Sequence, residues 1–167
     1  VTGDTSHGIS PASGTLTWSD GDGTDKEIGY DIEDDEIYGG DAAFTVTLSS
    51  ATGGASVGAN TVLSVTVVDN DPPSPPADLT AVPGTGSVSL SWGGVKDVTY
   101  TLGYAASADF SGGESVDGLT GTARTVSGLT GGKPYFFRIR SVYRGTAGDW
   151  SGTVSGTHSA PPDSGSP

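Results

Sequence analysis

Five acidic side chains fall within nine positions from Glu33 to Asp41, in the stretch EDDEIYGGD, and Asp69 and Asp71 follow in a second short stretch, DND. Carboxylate oxygens are what a hard divalent cation takes, and calcium wants about six to eight of them. The spacing allows this. If the strand ending near Glu33 turns into one starting at Ala43, and the strand closing at Asp69 runs antiparallel to the latter, Asp34 and Asp35 come to the same end as Asp69 and Asp71. Glu36, the Asn70 amide and backbone carbonyls can add oxygens. Carboxylates brought together repel by about a few kcal/mol per close pair at an intermediate dielectric. A cation, water or a spreading of the loop must relieve them. The other reading is a solvated hairpin loop that holds no ion.

Other constellations carry less chemistry. DGDGTDKE, Asp20 to Glu27, matches a calcium-binding loop at its first and third positions, but Asp25 stands where that loop needs Gly, and no helices flank it. It is expected to be a hairpin turn. GASVG, Gly54 to Gly58, fits the pattern of a serine nucleophile elbow, which requires a strand followed by a helix; turn residues leading into another strand exclude Ser56 from that role. GGKP, Gly131 to Pro134, lacks the hydroxyl residue that a phosphate loop uses for magnesium. His7 and His158 are the only histidines, and both are expected on the surface, His158 in an exit linker. A catalytic triad or histidine-rich metal centre therefore has little material. Arg138 and Arg140 alternate with Phe137 and Ile139, and Trp150 is expected on the adjacent strand. Together they form either a cation–π ladder on one sheet face or a patch for binding a partner.

The elements that must position these residues are strands. Apolar residues make up 33% of the 167 positions, and 28 Gly and 10 Pro punctuate short alternating runs, which points to an all-β chain. Period-two alternation predicts four strands in the first part, through Leu16 and Trp18, through Ile28, Tyr30 and Ile32, through Phe44, Val46 and Leu48, and through Leu63, Val65 and Val67. Five more are expected in SVSLSW, VTYTLGY, ARTVSGL, YFFRIRSV and the run after Trp150. Residues 1–71 hold 13 Asp and Glu against Lys26, a net of −12, whereas residues 72–167 hold 7 against 6, a net of −1. Between these halves lies DPPSPP, and residues 72–76 read as a semi-rigid linker because proline lacks a donor and fixes φ. The overall net charge of −13 opposes binding to nucleic acid or an anionic membrane. No apolar run is long enough to insert into a bilayer. Without cysteine there are no disulfides or thiolate sites.

Residues 77–158 resemble a fibronectin type III domain. The landmarks are PADLTAV, Trp92 closing SLSW, Tyr104, and SGLTGGKPYFFRIRSV. The resemblance implies a sandwich with Trp92 in its core and a corner locked by the Tyr135 hydroxyl. Residues 1–71 resemble the C-terminal part of a Calx-beta domain, through SGTLTW, IEDDEIYGGDAAFTVTLSSATGGASVG and VTVVDND. In calcium-binding members of that family, residues at the positions of Asp34, Asp35, Asp69 and Asp71 are ligands. Further acidic ligands of the family fall at Gly8, Gly39 and Ala42, so the resemblance implies weak calcium binding, around 10⁻⁴–10⁻³ M. A whole sandwich of this type takes about seven strands, and only four are legible here.

Two tandem Ig-like antiparallel β-sandwiches, the first incomplete at its N-terminus, are therefore expected, followed by a Pro/Ser/Gly-rich tail over residues 159–167. The inner face with Trp18, Tyr30, Phe44 and Val65 would need cover from the same or another chain by β-strand complementation. Identical molecules doing so head to tail would build a filament. The expected function is a non-catalytic, extracellular structural or adhesive module pair of a bacterial-type secreted or surface protein. The alternative is an accessory region that positions a secreted enzyme on its substrate.

Overall fold

The computed structural model describes residues 2–3 and 13–159, and every regular element among them is a strand. His7 and the tail beyond Ser159 lie outside the described residues. The chain divides into two compact units, Val1–Asn70 and Asp71–Pro167.

In the first unit, β1 (Thr2–Gly3), β2 (Ala42–Thr47) and β3 (Val62–Val67) form one antiparallel sheet in that order. The register sets Ala42 against Val67, Phe44 against Val65, and Val46 against Leu63, so one face collects the apolar positions of both long strands. Phe44 is buried at its centre, and the Tyr30 ring packs on it at 5.1 Å between centroids. Here the structure corrects the four-strand expectation. Leu16 to Trp18 and Ile28 to Ile32 join no strand, despite their alternation. Alternation supplies an apolar face but not a neighbour to bond to, and the short β1 takes the edge of β2 that such a neighbour would use. Trp18 is consequently 47% exposed and stays off the Phe44 cluster. Its Nε1 donates to the Thr24 carbonyl at 2.7 Å, across a turn held by Asp22, which accepts from the Thr24 amide and pairs with Lys26 at 2.9 Å.

The second unit is a two-sheet sandwich. β4 (Thr80–Pro83), β5 (Ser87–Ser91) and β8 (Ala123–Ser127) make one sheet; β6 (Thr99–Ala105), β7 (Glu114–Leu119), β9 (Pro134–Tyr143), β10 (Thr146–Ala147) and β11 (Val154–Thr157) make the other, with β9 bonded to β6, β10 and β11. Inward positions alternate along the strands as the pleat requires. Val88 and Leu90 from β5, Val126 from β8, Leu102 from β6, and Phe137 and Ile139 from β9 close the core between the sheets. Trp92 is buried among them, edge-on to Tyr100 at 5.6 Å, and the Tyr100 hydroxyl accepts from the Val95 amide at 2.8 Å.

The proline-rich segment is part of this unit rather than a free connector. Pro73 and Pro76 are buried, and the Ser141 hydroxyl on β9 donates to the Ser74 carbonyl at 2.8 Å. Gly148 makes the fit possible, since a Cβ there would meet the Pro73 carbonyl oxygen at 1.8 Å.

Phe137 is fully enclosed at the junction of the two sheets. Truncating it to Ala should destabilise the second unit by about 3–5 kcal/mol, read as a lower urea midpoint for that unit in the intact chain, while the Tyr30–Phe44 cluster of the first unit melts unchanged.

Candidate functional site

Two places gather side chains able to do chemistry, the outer face of β9 and the acidic loop before β2. On β9 the burial of Phe137 and Ile139 forces Arg138 and Arg140 outward. The segment after β10 returns along β9, with the Ser151 amide on the Ile139 carbonyl at 2.8 Å and the Ser151 hydroxyl accepting from the Ile139 amide at 3.0 Å. That return sets the Trp150 ring against both guanidinium groups, although Trp150 itself lies outside a strand. Arg138 Cζ stands 4.2 Å from the Trp150 centroid and Arg140 Cζ 4.5 Å from it. Gly103 opens the space beneath, where an added Cβ would approach the Trp150 ring to 3.2 Å.

Phe110 completes the stack, and nothing in the sequence pattern announced it. Its ring lies 4.0 Å from Arg138 Cζ, so Arg138 contacts both Phe110 and Trp150 while Trp150 is shared with Arg140. It sits in the loop between β6 and β7 with φ of 60°, a conformation that bulky residues rarely adopt. Asp109 holds that loop: its Oδ1 accepts from the Ser111 amide at 2.9 Å and from the hydroxyls of Ser107 and Ser111, each at 2.7 Å. These bonds, the Ser111 amide first, pull the Asp109 carboxyl down to about 2. The Nε atoms of Arg138 and Arg140 are buried with no hydrogen-bond partner, and the ring faces stand in for one.

The acidic loop does something other than gather around an ion. Asp69 is turned inward and buried, its Oδ2 accepting from the amides of Gly39 and Gly40, both at 2.7 Å, while its own amide donates to Asp41 Oδ1 at 3.1 Å. Gly40 takes φ of 80°, which directs its amide at the carboxylate without the penalty a side chain would bring. Asp34, Asp35 and Glu36 are exposed, with Asp35 Oδ1 spent on the Ile37 amide at 3.0 Å. Asp71 belongs to the second unit. Among the described residues no three His, Cys, Asp or Glu side chains are grouped as an ion would need. Within the first unit the expected calcium ligands are placed differently from one another, Asp69 inward on backbone amides and Asp34, Asp35 and Glu36 toward solvent.

His158, expected on the surface, is 1% exposed. Its Nδ1 lies 2.9 Å from the Ser159 carbonyl and its ring 6.4 Å from that of Tyr135, because the strand end after β11 folds under the β8–β9 turn, where the Gly132 amide bonds the His158 carbonyl. A burial signal was present only in the pairing of β11 with β9. The Tyr135 hydroxyl accepts from the Thr130 amide at 3.3 Å, five residues back, and locks that corner. Beside it a cleft of about 270 Å³ opens between Tyr104, Glu114, Leu129 and Tyr135. The Tyr104 hydroxyl donates to Glu114, and this bond raises the Tyr104 pKa.

Among solved structures, the chain is similar to the FN1–FN3 domains of chicken CNTN1, at 18% identity over 58% of this chain and 36% of that one, with a TM-score of 0.50. It is also similar to the fibronectin type-III domain of human fibronectin type III domain containing protein 3, at 24% identity over 58% and 97% of the two chains and a TM-score of 0.47. A third is a Fn3-like protein from Clostridium thermocellum, at 18% identity over 53% and 94%, with a TM-score of 0.45. These structural neighbours are fibronectin type III domains, and the first of them, at a TM-score of 0.50 and 18% identity, shows a shared fold alone. No family model matches the chain.

Replacing Trp150 by Ala removes the shared ring of the stack and should lower the stability of the second unit by about 2 kcal/mol, measured by urea unfolding of the intact chain. Acid should act on the same stack through the loop. Asp109 has a folded pKa below its ordinary value of 3.8, so its contribution is complete above that value and is lost as pH falls through about 2. Side-chain protons of Arg138 should therefore lose part of their upfield ring-current shift from Phe110 across that window by NMR, and Asp109→Asn should remove the acid dependence.

Proposed function

We propose that the chain is a non-catalytic, extracellular module pair that serves structural and adhesive ends, its first unit being part of a Calx-beta-like domain and its second a fibronectin type III domain. The observation that carries this reading is where the apolar surface lies. Of the ten large hydrophobic residues exposed among the described residues, nine belong to the first unit, including Trp18, Ile28, Ile32, Ile37 and Leu63. Surface of that kind, concentrated on one unit, favours contact with a macromolecule over chemistry on a small one. The polar groups that could have reacted are engaged in holding the fold: Asp69 by two amides, Arg138 and Arg140 by aromatic rings. An extracellular setting accords with the acidic composition and the kinship in fold to modules strung in series.

Beads coated with the intact chain should adhere to glass carrying the same chain or to matrix-coated glass at neutral pH. Beads that hold to neither surface would overturn the adhesive reading and leave only a spacer.

A further inference from the structure

We propose that the free edge of β3 is an interface with a second copy of this chain, two β3 strands pairing antiparallel about a twofold axis at Val65. β3 is the last strand of its sheet, bonded on one side to β2 and, among the described residues, to nothing on the other. Exposed edges in natural proteins are commonly blunted by charge, proline or a bulge. This one has none of the three. Thr61 to Val68, TVLSVTVV, contains no charged residue and no proline in a chain of net charge −13, and its pairing with β2 runs without a register shift. Val62, Leu63 and Val68 are 59%, 61% and 52% exposed.

A second copy answers these features better than an unrelated strand. Pairing centred on Val65 puts each Val65 against its counterpart and each Leu63 against the other copy's residue 67, so the apolar face shared with Phe44 continues across the junction. It also settles the charges. In this register Asp69 of each copy lies opposite the neutral Thr61; parallel pairing would set Asp69 against Asp69, which like-charge repulsion opposes. Shifting the register by one would exchange the apolar and polar faces of one strand, so parity is fixed as well. The contact is isologous, hence it closes at two copies and does not propagate.

This inference deepens the adhesive reading by naming a partner. Sedimentation velocity on the intact chain should show a monomer–dimer equilibrium that shifts with concentration, and hydrogen exchange of the Val62 to Val67 amides should slow as dimer forms. Leu63→Glu introduces a carboxylate opposite the other copy's Val67, into the apolar face that would continue across the junction and at a site already exposed, and should weaken association at least tenfold. Thr66→Glu, on the opposite face and also exposed, should do the same; it decides the matter if Leu63→Glu disturbs the Tyr30–Phe44 cluster. A chain that stays monomeric at every concentration, or a dimer that survives both substitutions, would overturn the proposal. Adhesion of monomeric chains to matrix-coated glass would sink the β3 pairing yet leave the adhesive reading standing, whereas dimers that adhere to nothing would do the reverse.

Discussion

A β-strand makes two demands at once, a partner for its backbone groups and a cover for its apolar side, and the two units answer them differently. In the second unit β9 is bonded to β6, β10 and β11 while Phe137 and Ile139 are enclosed by Leu102, Val88 and the other sheet. Both demands are met within the unit. In the first, β2 is bonded on both sides, but β1 spans only Thr2 and Gly3, and the buried cluster contains Ala42 and Phe44 with partly covered neighbours. Each fully buried side chain of this size contributes about 1.5–3 kcal/mol, so a core that small offsets little of the backbone entropy lost by ordering the unit. What stands exposed there is therefore material for an outside contact.

The polar groups follow the same economy of position. Putting Arg138 and Arg140 on the outward side of β9 would leave two long cations on a flat sheet face; the rings of Phe110 and Trp150 pin them there and cover the sheet beneath. Stacking with rings confines the side chains, which a solvated arginine would resist on entropic grounds. Asp69 is the corresponding case in the first unit. A carboxylate placed between strand ends can hold either a cation or converging amides, and the φ of 80° at Gly40 brings the amides close enough to take it.

How far the sequence reveals this depends on the range of the interaction concerned. β5, β6 and β9 follow from alternation, because each has one face in a closed core and the pattern is written in consecutive residues. β7 does not, since Glu114–Leu119 lies at a sheet edge with mostly exposed side chains and a bulge opposite Tyr100 to Leu102. Leu16–Trp18 and Ile28–Ile32 show the converse failure, alternation without a partner strand. Arg138, Arg140 and Trp150 were legible as a group from β9 and its neighbour, whereas Phe110 reaches them from a loop whose left-handed turn depends on Asp109 and two serines. The acidic loop was legible as composition only. Which of its oxygens converge is decided by Gly39 and Gly40, thirty residues from Asp69.

Charge distribution constrains what can approach the first unit. With 13 acidic residues in positions 1–71, any approach by another copy is opposed over most of that surface. The opposition is weakest where charge is missing, along Thr61–Val68, which is also where, among the described residues, backbone groups lie open at a sheet edge. Repulsion elsewhere then acts as a filter: it discourages the disordered clumping that an uncharged edge invites, and leaves only an alignment in which the acidic ends meet neutral residues. An edge that is apolar within an acidic unit is thus a more selective surface than an edge of the same sequence would be in a neutral one.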